Sequence, residues 1–155
     1  MNLWDFAGRV HARPGVEAAC LALQDDHGQC VSFLLWRLWT LADGRPVDGV
    51  LLGDAVLAAR SWEAAATAPL RLVRRRLKTA PMPVTPQGQA ALREAIKAAE
   101  LQSERLLLEA LETMTPKGSG LNPGIERGLM TAALAWGGGG APKALLRVLA
   151  QAAEG

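Results

Sequence analysis

The run from Cys30 to Asp43, CVSFLLWRLWTLAD, decides the fold. Val31, Leu34, Leu35 and Leu38 recur at helical spacing, and Phe33, Trp36 and Trp39 occupy the opposite side. A helix that is apolar all round is buried on all sides. Its apolar stretch, Val31 to Ala42, contains Arg37 and is shorter than the roughly twenty residues a membrane span needs. The run therefore reads as the central helix of a water-soluble bundle, ending at Gly44.

Upstream, Val16, Ala19, Cys20 and Leu23 form one stripe, with Ala18, Leu21 and Ala22 behind it. This predicts a second helix over 14–27, started by Pro14, ended by Gly28 and buried on both sides. The two helices, 14–27 and 30–43, are expected to form a central antiparallel hairpin. A short amphipathic helix from Leu3 to His11 precedes them. A further helix begins near Asp48, runs to Ala66, and is kinked or restarted by Pro69 into a basic segment, 70–79. Residues 80–88, with Pro81, Pro83 and Pro86, read as a linker. A long helix then runs to Thr115, with an apolar seam at Leu92, Ala95, Ala99, Leu106, Ala110 and Met114. Asn122-Pro123 opens another helix, Gly137 to Gly140 reads as a hinge, and Pro142 opens the last helix. No internal repeat is visible.

At 155 residues the chain fits a single domain, 1–155, of about seven helices: an all-α bundle. The C-terminal helices occupy 89–155. Ala and Leu dominate and Tyr is absent, a mix that favours helix over strand. The opening Met1-Asn2-Leu3-Trp4-Asp5 has neither a basic nor an apolar signal region, so a cytoplasmic protein is expected. Cys20 and Cys30, the only cysteines, are expected to be buried thiols.

Charge is uneven. Residues 60–80 carry six Lys or Arg against Glu63, whereas the whole chain is only +2. Arg71, Arg74, Arg75 and Lys78 fall at i, i+3, i+4 and i+7, one face of a helix. Arg suits bidentate carboxylate or phosphate recognition. Asp25 and Asp26 sit in the last turn of helix 14–27, where the helix dipole disfavours carboxylates. The arginine stripe, with Arg37 second, is their expected counter-charge. Any surplus of cations would engage an acidic protein or a small anion.

Three function classes follow. The first is a non-enzymatic binding or adaptor protein that turns its Arg-rich face to such a partner. The second is a small helical enzyme or ligand-binding protein with a polar pocket between helices 14–27 and 70–79, lined by Asp25, Asp26, Arg71, Arg74 and Arg75. The third is a purely structural ion-pair set, in which Asp25→Ala would remove several kcal/mol. One short stripe without an aromatic platform argues against nucleic acid. His27-x-x-Cys30 has ligand-like spacing, with His11 and Cys20 nearby, but both cysteines fall on apolar stripes, so no metal and no cofactor are expected. Nucleophile motifs, a P-loop and GxGxxG are absent, so no catalytic residue is assigned.

LWDFA (3–7), PGVEAACLALQDDHG (14–28), FLLWRLWTLADG (33–44) and Trp62 ahead of PLRLVRRRLK (69–78) together resemble an uncharacterised family of small, mostly proteobacterial proteins, defined as a domain of unknown function. The resemblance covers residues 3–79. It implies that the LQD block and the PLRxxRRxLK block belong to one unit, and it implies no activity or cofactor. His11 stands where that family usually has an aromatic residue.

Overall fold

A computed structural model describes residues 1–79 and 82–155. The elements are α1 (Leu3–His11), α2 (Val16–Asp25), α3 (Val31–Ala42), α4 (Gly49–Trp62), a π-helical turn (Glu63–Thr67), α5 (Ala68–Arg76), α6 (Pro86–Met114), α7 (Ile125–Trp136) and α8 (Lys143–Glu154). From α4 through α5 the helix is unbroken, so the described residues form seven helical rods. Side-chain caps start several of them: Asn2 accepts from the Asp5 amide, Asp48 from that of Leu51 and Thr85 from that of Gly88. Pro86 opens α6, so the Pro-rich linker ends earlier than residue 88, while Ala80 and Pro81 lie outside the described residues.

As its sequence demands, α3 is the centre. Every residue from Ser32 to Leu41 is buried, and α1, α2, α4, α6, α7 and α8 all touch it. α7 packs most extensively on it. Gly128 permits this: a Cβ there would lie 2.5 Å from Leu41 Cδ2. α2 behaves differently from its neighbour. Its stripe Val16, Ala19, Cys20 and Leu23 is buried, mainly against α8, but Leu21 on the other side is half exposed. The apolar second face of α2 is real and uncovered.

α6 is rotated from the expected seam. Leu92, Ala95, Ala99, Leu106, Ala110 and Met114 are exposed, whereas Glu100, Ser103, Leu107, Leu108 and Leu111 are buried. Polar anchors set this rotation. The Ser103 carbonyl accepts from Trp62 Nε1 at 2.8 Å, and its hydroxyl bonds Thr67 Oγ1 at 2.8 Å.

The tetraglycine segment is a fixed connector. Gly137 to Gly140 all have positive φ (119°, 69°, 82° and 85°), a backbone that side chains resist. The buried Gln29 amide donates to the carbonyls of Ala133 (3.3 Å), Gly137 (3.1 Å) and Gly140 (3.0 Å), and so caps the end of α7. Trp136 Nε1 donates to the Gly28 carbonyl at 2.8 Å. α8 then folds back onto α2, α3 and α7 of its own chain.

Candidate functional site

Pro69 sets the site in motion. Proline lacks the amide proton that would bond the carbonyl four residues back. The chain answers with the π turn before it, in which the Ala68 amide bonds the Glu63 carbonyl. A π turn inserts one residue into the helical phase. Glu63 and Arg71, eight apart, thereby stand as if seven apart, two turns along one face. Their side chains meet at 2.7 Å.

Arg71 is the hub of a charge network. Besides Glu63 it reaches Glu100 at 3.2 Å and Glu104 at 3.9 Å, and Glu100 also pairs with Arg74. Burial alone would pull the Arg71 guanidinium down, but the three carboxylates more than offset it and hold it above its ordinary value. Two guanidinium groups thus face three carboxylates. Glu104 fares worst: its one ion-pair contact among the described residues is the long one, to an arginine already engaged twice. Burial, then the neighbouring charge of Glu100, push its carboxyl from 4.5 up to about 7.

The counter-charge is therefore mostly other than expected. Of the two aspartates, only Asp25 pairs with the stripe among the described residues, through Arg75, and both side chains are more than 40% exposed. Gln24 and Arg75 overcome slight desolvation and hold Asp25 below the usual carboxylate range. Asp26 is exposed and has no ion pair among the described residues. Arg37 is buried in α3, bonds Thr40 Oγ1 at 3.1 Å, and has no carboxylate partner among the described residues; burial lowers its pKa. Arg76 and Lys78 are exposed.

Beside the network lies a half-open cleft of about 510 Å³, between α1, α2, α3 and α6. Cys20, Leu35 and Leu108 form buried parts of its lining, Leu21 and Leu101 are half-exposed walls, and Trp4 flanks it. Its polar lining includes His11, Glu17, Gln24, Ser32, Arg74, Lys97, Glu100 and Glu104. Asp25, Asp26, Arg71 and Arg75 do not line it. The open face of α2 thus has an explanation: it is a cleft wall. A signal for this site was present in sequence, since Glu100 and Glu104 are like charges at i, i+4 and need nearby cations.

The Cys20 thiol is pushed up to about 11, first by burial and then by Glu104, so it is not a thiolate nucleophile near neutrality. Cys30, deeper still, is pushed up to about 12. Among the described residues no group of three or more His, Cys, Asp or Glu side chains is placed to hold a metal ion. Among them, too, no helix is long and apolar enough to cross a membrane.

Comparison with known protein families gives a match that assigns no function. The family described as a protein of unknown function (DUF2390) matches residues 2–111, and the chain belongs to it. The match runs beyond residue 79 through most of α6 and includes every residue lining the cleft. No curated protein and no solved structure matches the chain.

Proposed function

We propose that this member of the family is a cytoplasmic, non-enzymatic binding protein that holds a small ligand in the cleft between α1, α2, α3 and α6. One observation carries the reading: the cleft, of about 510 Å³, keeps apolar walls open to solvent against the buried core residues Cys20, Leu35 and Leu108. Cavities of this size, mostly apolar with a few convergent polar groups and a perturbed carboxyl, are the usual form of a small-molecule site. Two free, buried thiols support the compartment. The test is a two-dimensional amide NMR titration with six-carbon probes: hexanol, hexanoate and hexylammonium. Shifts should centre on Trp4, Leu21, Leu35 and Leu101. Shifts scattered elsewhere, or none with any probe, overturn the reading.

A second reading keeps an acidic partner on the outer face of α5 and its C-terminal turn, where Arg75, Arg76 and Lys78 are exposed. Arg71 and Arg74 contribute little to it because Glu63, Glu100 and Glu104 hold them. Partner capture that survives Arg76→Glu with Lys78→Glu would end that reading.

A further inference from the structure

Building on the cleft reading, we propose that the ligand is a hydrophobic cation, an ammonium group on an apolar body, with Glu104 as the carboxylate that receives the charge.

The argument starts from the charges that face Glu104. From the π turn and α5 come Glu63, Arg71 and Arg74, from α6 Glu100 and from α2 Cys20; Lys97 of α6, His11 of α1 and Glu17 of α2 line the same cleft. Arg71 and Arg74 are held by Glu63 and Glu100, and Lys97 lies 3.4 Å from Glu94 on the exposed side. Glu104 is left with a 3.9 Å contact and no hydrogen bond to a cation among the described residues. One carboxylate in the network therefore lacks a close counter-charge, and that carboxylate lines the cleft.

An anion would meet the opposite situation. The cations in the wall, Arg74 and Lys97, already pair with Glu100 and Glu94, and Glu17, Glu100 and Glu104 would repel it. A neutral ligand seated over Glu104, whose side chain is 35% exposed in the open cleft, would strip water from the ionised carboxylate without replacing it by a charge partner. While Glu104 is ionised, a cation answers the imbalance, and Leu21, Leu35 and Leu101 provide the surface for an apolar body. A bound cation would also favour the ionised carboxyl, so binding drives a proton off Glu104 wherever that group is still protonated. The near-neutral titration of Glu104 is what makes this linkage measurable.

The experiment compares hexylammonium with hexanol on the intact chain near pH 5 and near pH 8, alongside Glu104→Gln and Glu104→Asp. Carboxyl carbon NMR reports Glu104 directly. Hexylammonium should bind about tenfold better than hexanol near pH 8, equivalent to roughly 1.4 kcal/mol. That preference should shrink near pH 5, vanish in Glu104→Gln and persist in part in Glu104→Asp. Saturation with hexylammonium should lower the Glu104 titration midpoint. Equal binding of the two probes, or an unchanged preference in Glu104→Gln, overturns the cation assignment while leaving the cleft reading standing. Failure of every probe to bind overturns both.

Discussion

The two sides of α3 are built to opposite rules. Toward α7 and α8 the packing is closed: Leu129, Ala132, Ala133 and Leu149 are fully buried, and Gly128 lets α7 settle against Leu41. The Gln29 amide nitrogen is turned to carbonyls at the end of α7, while its oxygen is buried without a hydrogen-bond partner among the described residues. Toward α1, α2 and α6 closure is incomplete, with Leu21 and Leu101 half exposed and three carboxylates shared by two arginines. The family match covers the open side and ends at residue 111, before α7 and α8 begin. The difference teaches where to look: the closed side holds the molecule together, and the open side combines a solvent-accessible cleft with a carboxylate that lacks a close counter-charge.

That contrast is broken most forcefully by paired truncations. Leu129→Ala on the closed side should cost about 2–5 kcal/mol, because a fully buried leucine leaves a cavity. Leu101→Ala on the cleft wall, 55% exposed, should cost well under about 1 kcal/mol. Urea denaturation of both variants measures the gap. Similar losses would mean that the cleft is closed in solution and the two sides are alike.

Next in size is the pH dependence of Glu104→Gln. A carboxyl whose folded pKa is raised, here from 4.5 to about 7, favours folding most below pH 4.5. That stability is lost as pH rises, because the unfolded chain ionises first, and the loss is complete above about 7. Because the Glu104 side chain is 35% exposed, water screens much of this effect, and Glu104→Gln should melt close to wild type near pH 4 and on the order of 2–4 °C higher near pH 8. Thermal melts across this range check it. A variant that is less stable near pH 8 would show Glu104 to be a net structural partner of Arg71, and the open side would lose its unfavourable carboxylate.

The sequence carried the first of these sides better than the second. Periodicity identified α3 because a helix apolar all round has one home, the centre. The same logic read the second face of α2 as buried, yet Leu21 lines a cleft: an apolar position records that water is unwelcome, not which group excludes it. The arginine stripe called for carboxylates, and proximity to a helix terminus suggested Asp25 and Asp26. The groups that answer, Glu100 and Glu104, come from a helix beyond the proline-rich segment, and only packing could bring them in. Glu63 needed the π turn, whose one-residue phase change leaves no mark beyond Pro69 itself. The α6 seam failed for a related reason: Glu100 and Ser103 are anchored inward, so the helix turns its alanines outward.

The smallest expected effect concerns the pair that joins the two blocks singled out in sequence. Asp25 belongs to LQD, Arg75 to PLRxxRRxLK, and their side chains meet at the surface. Had this pair been buried, Asp25→Ala would have stranded an arginine at a cost of several kcal/mol. Both groups are more than 40% exposed, so water solvates whichever partner remains. The expected loss is about 0–1 kcal/mol and should shrink further in high salt. Because Asp25 titrates below its ordinary 3.8, its small contribution is present above that value and disappears as pH falls through the lower folded one. A loss near 3 kcal/mol by urea denaturation, of the size set by a stranded buried charge, would show that α2 and α5 close over the pair. The wall of the cleft would then be tighter than its exposed leucines imply, and the contrast between the two sides of α3 would narrow.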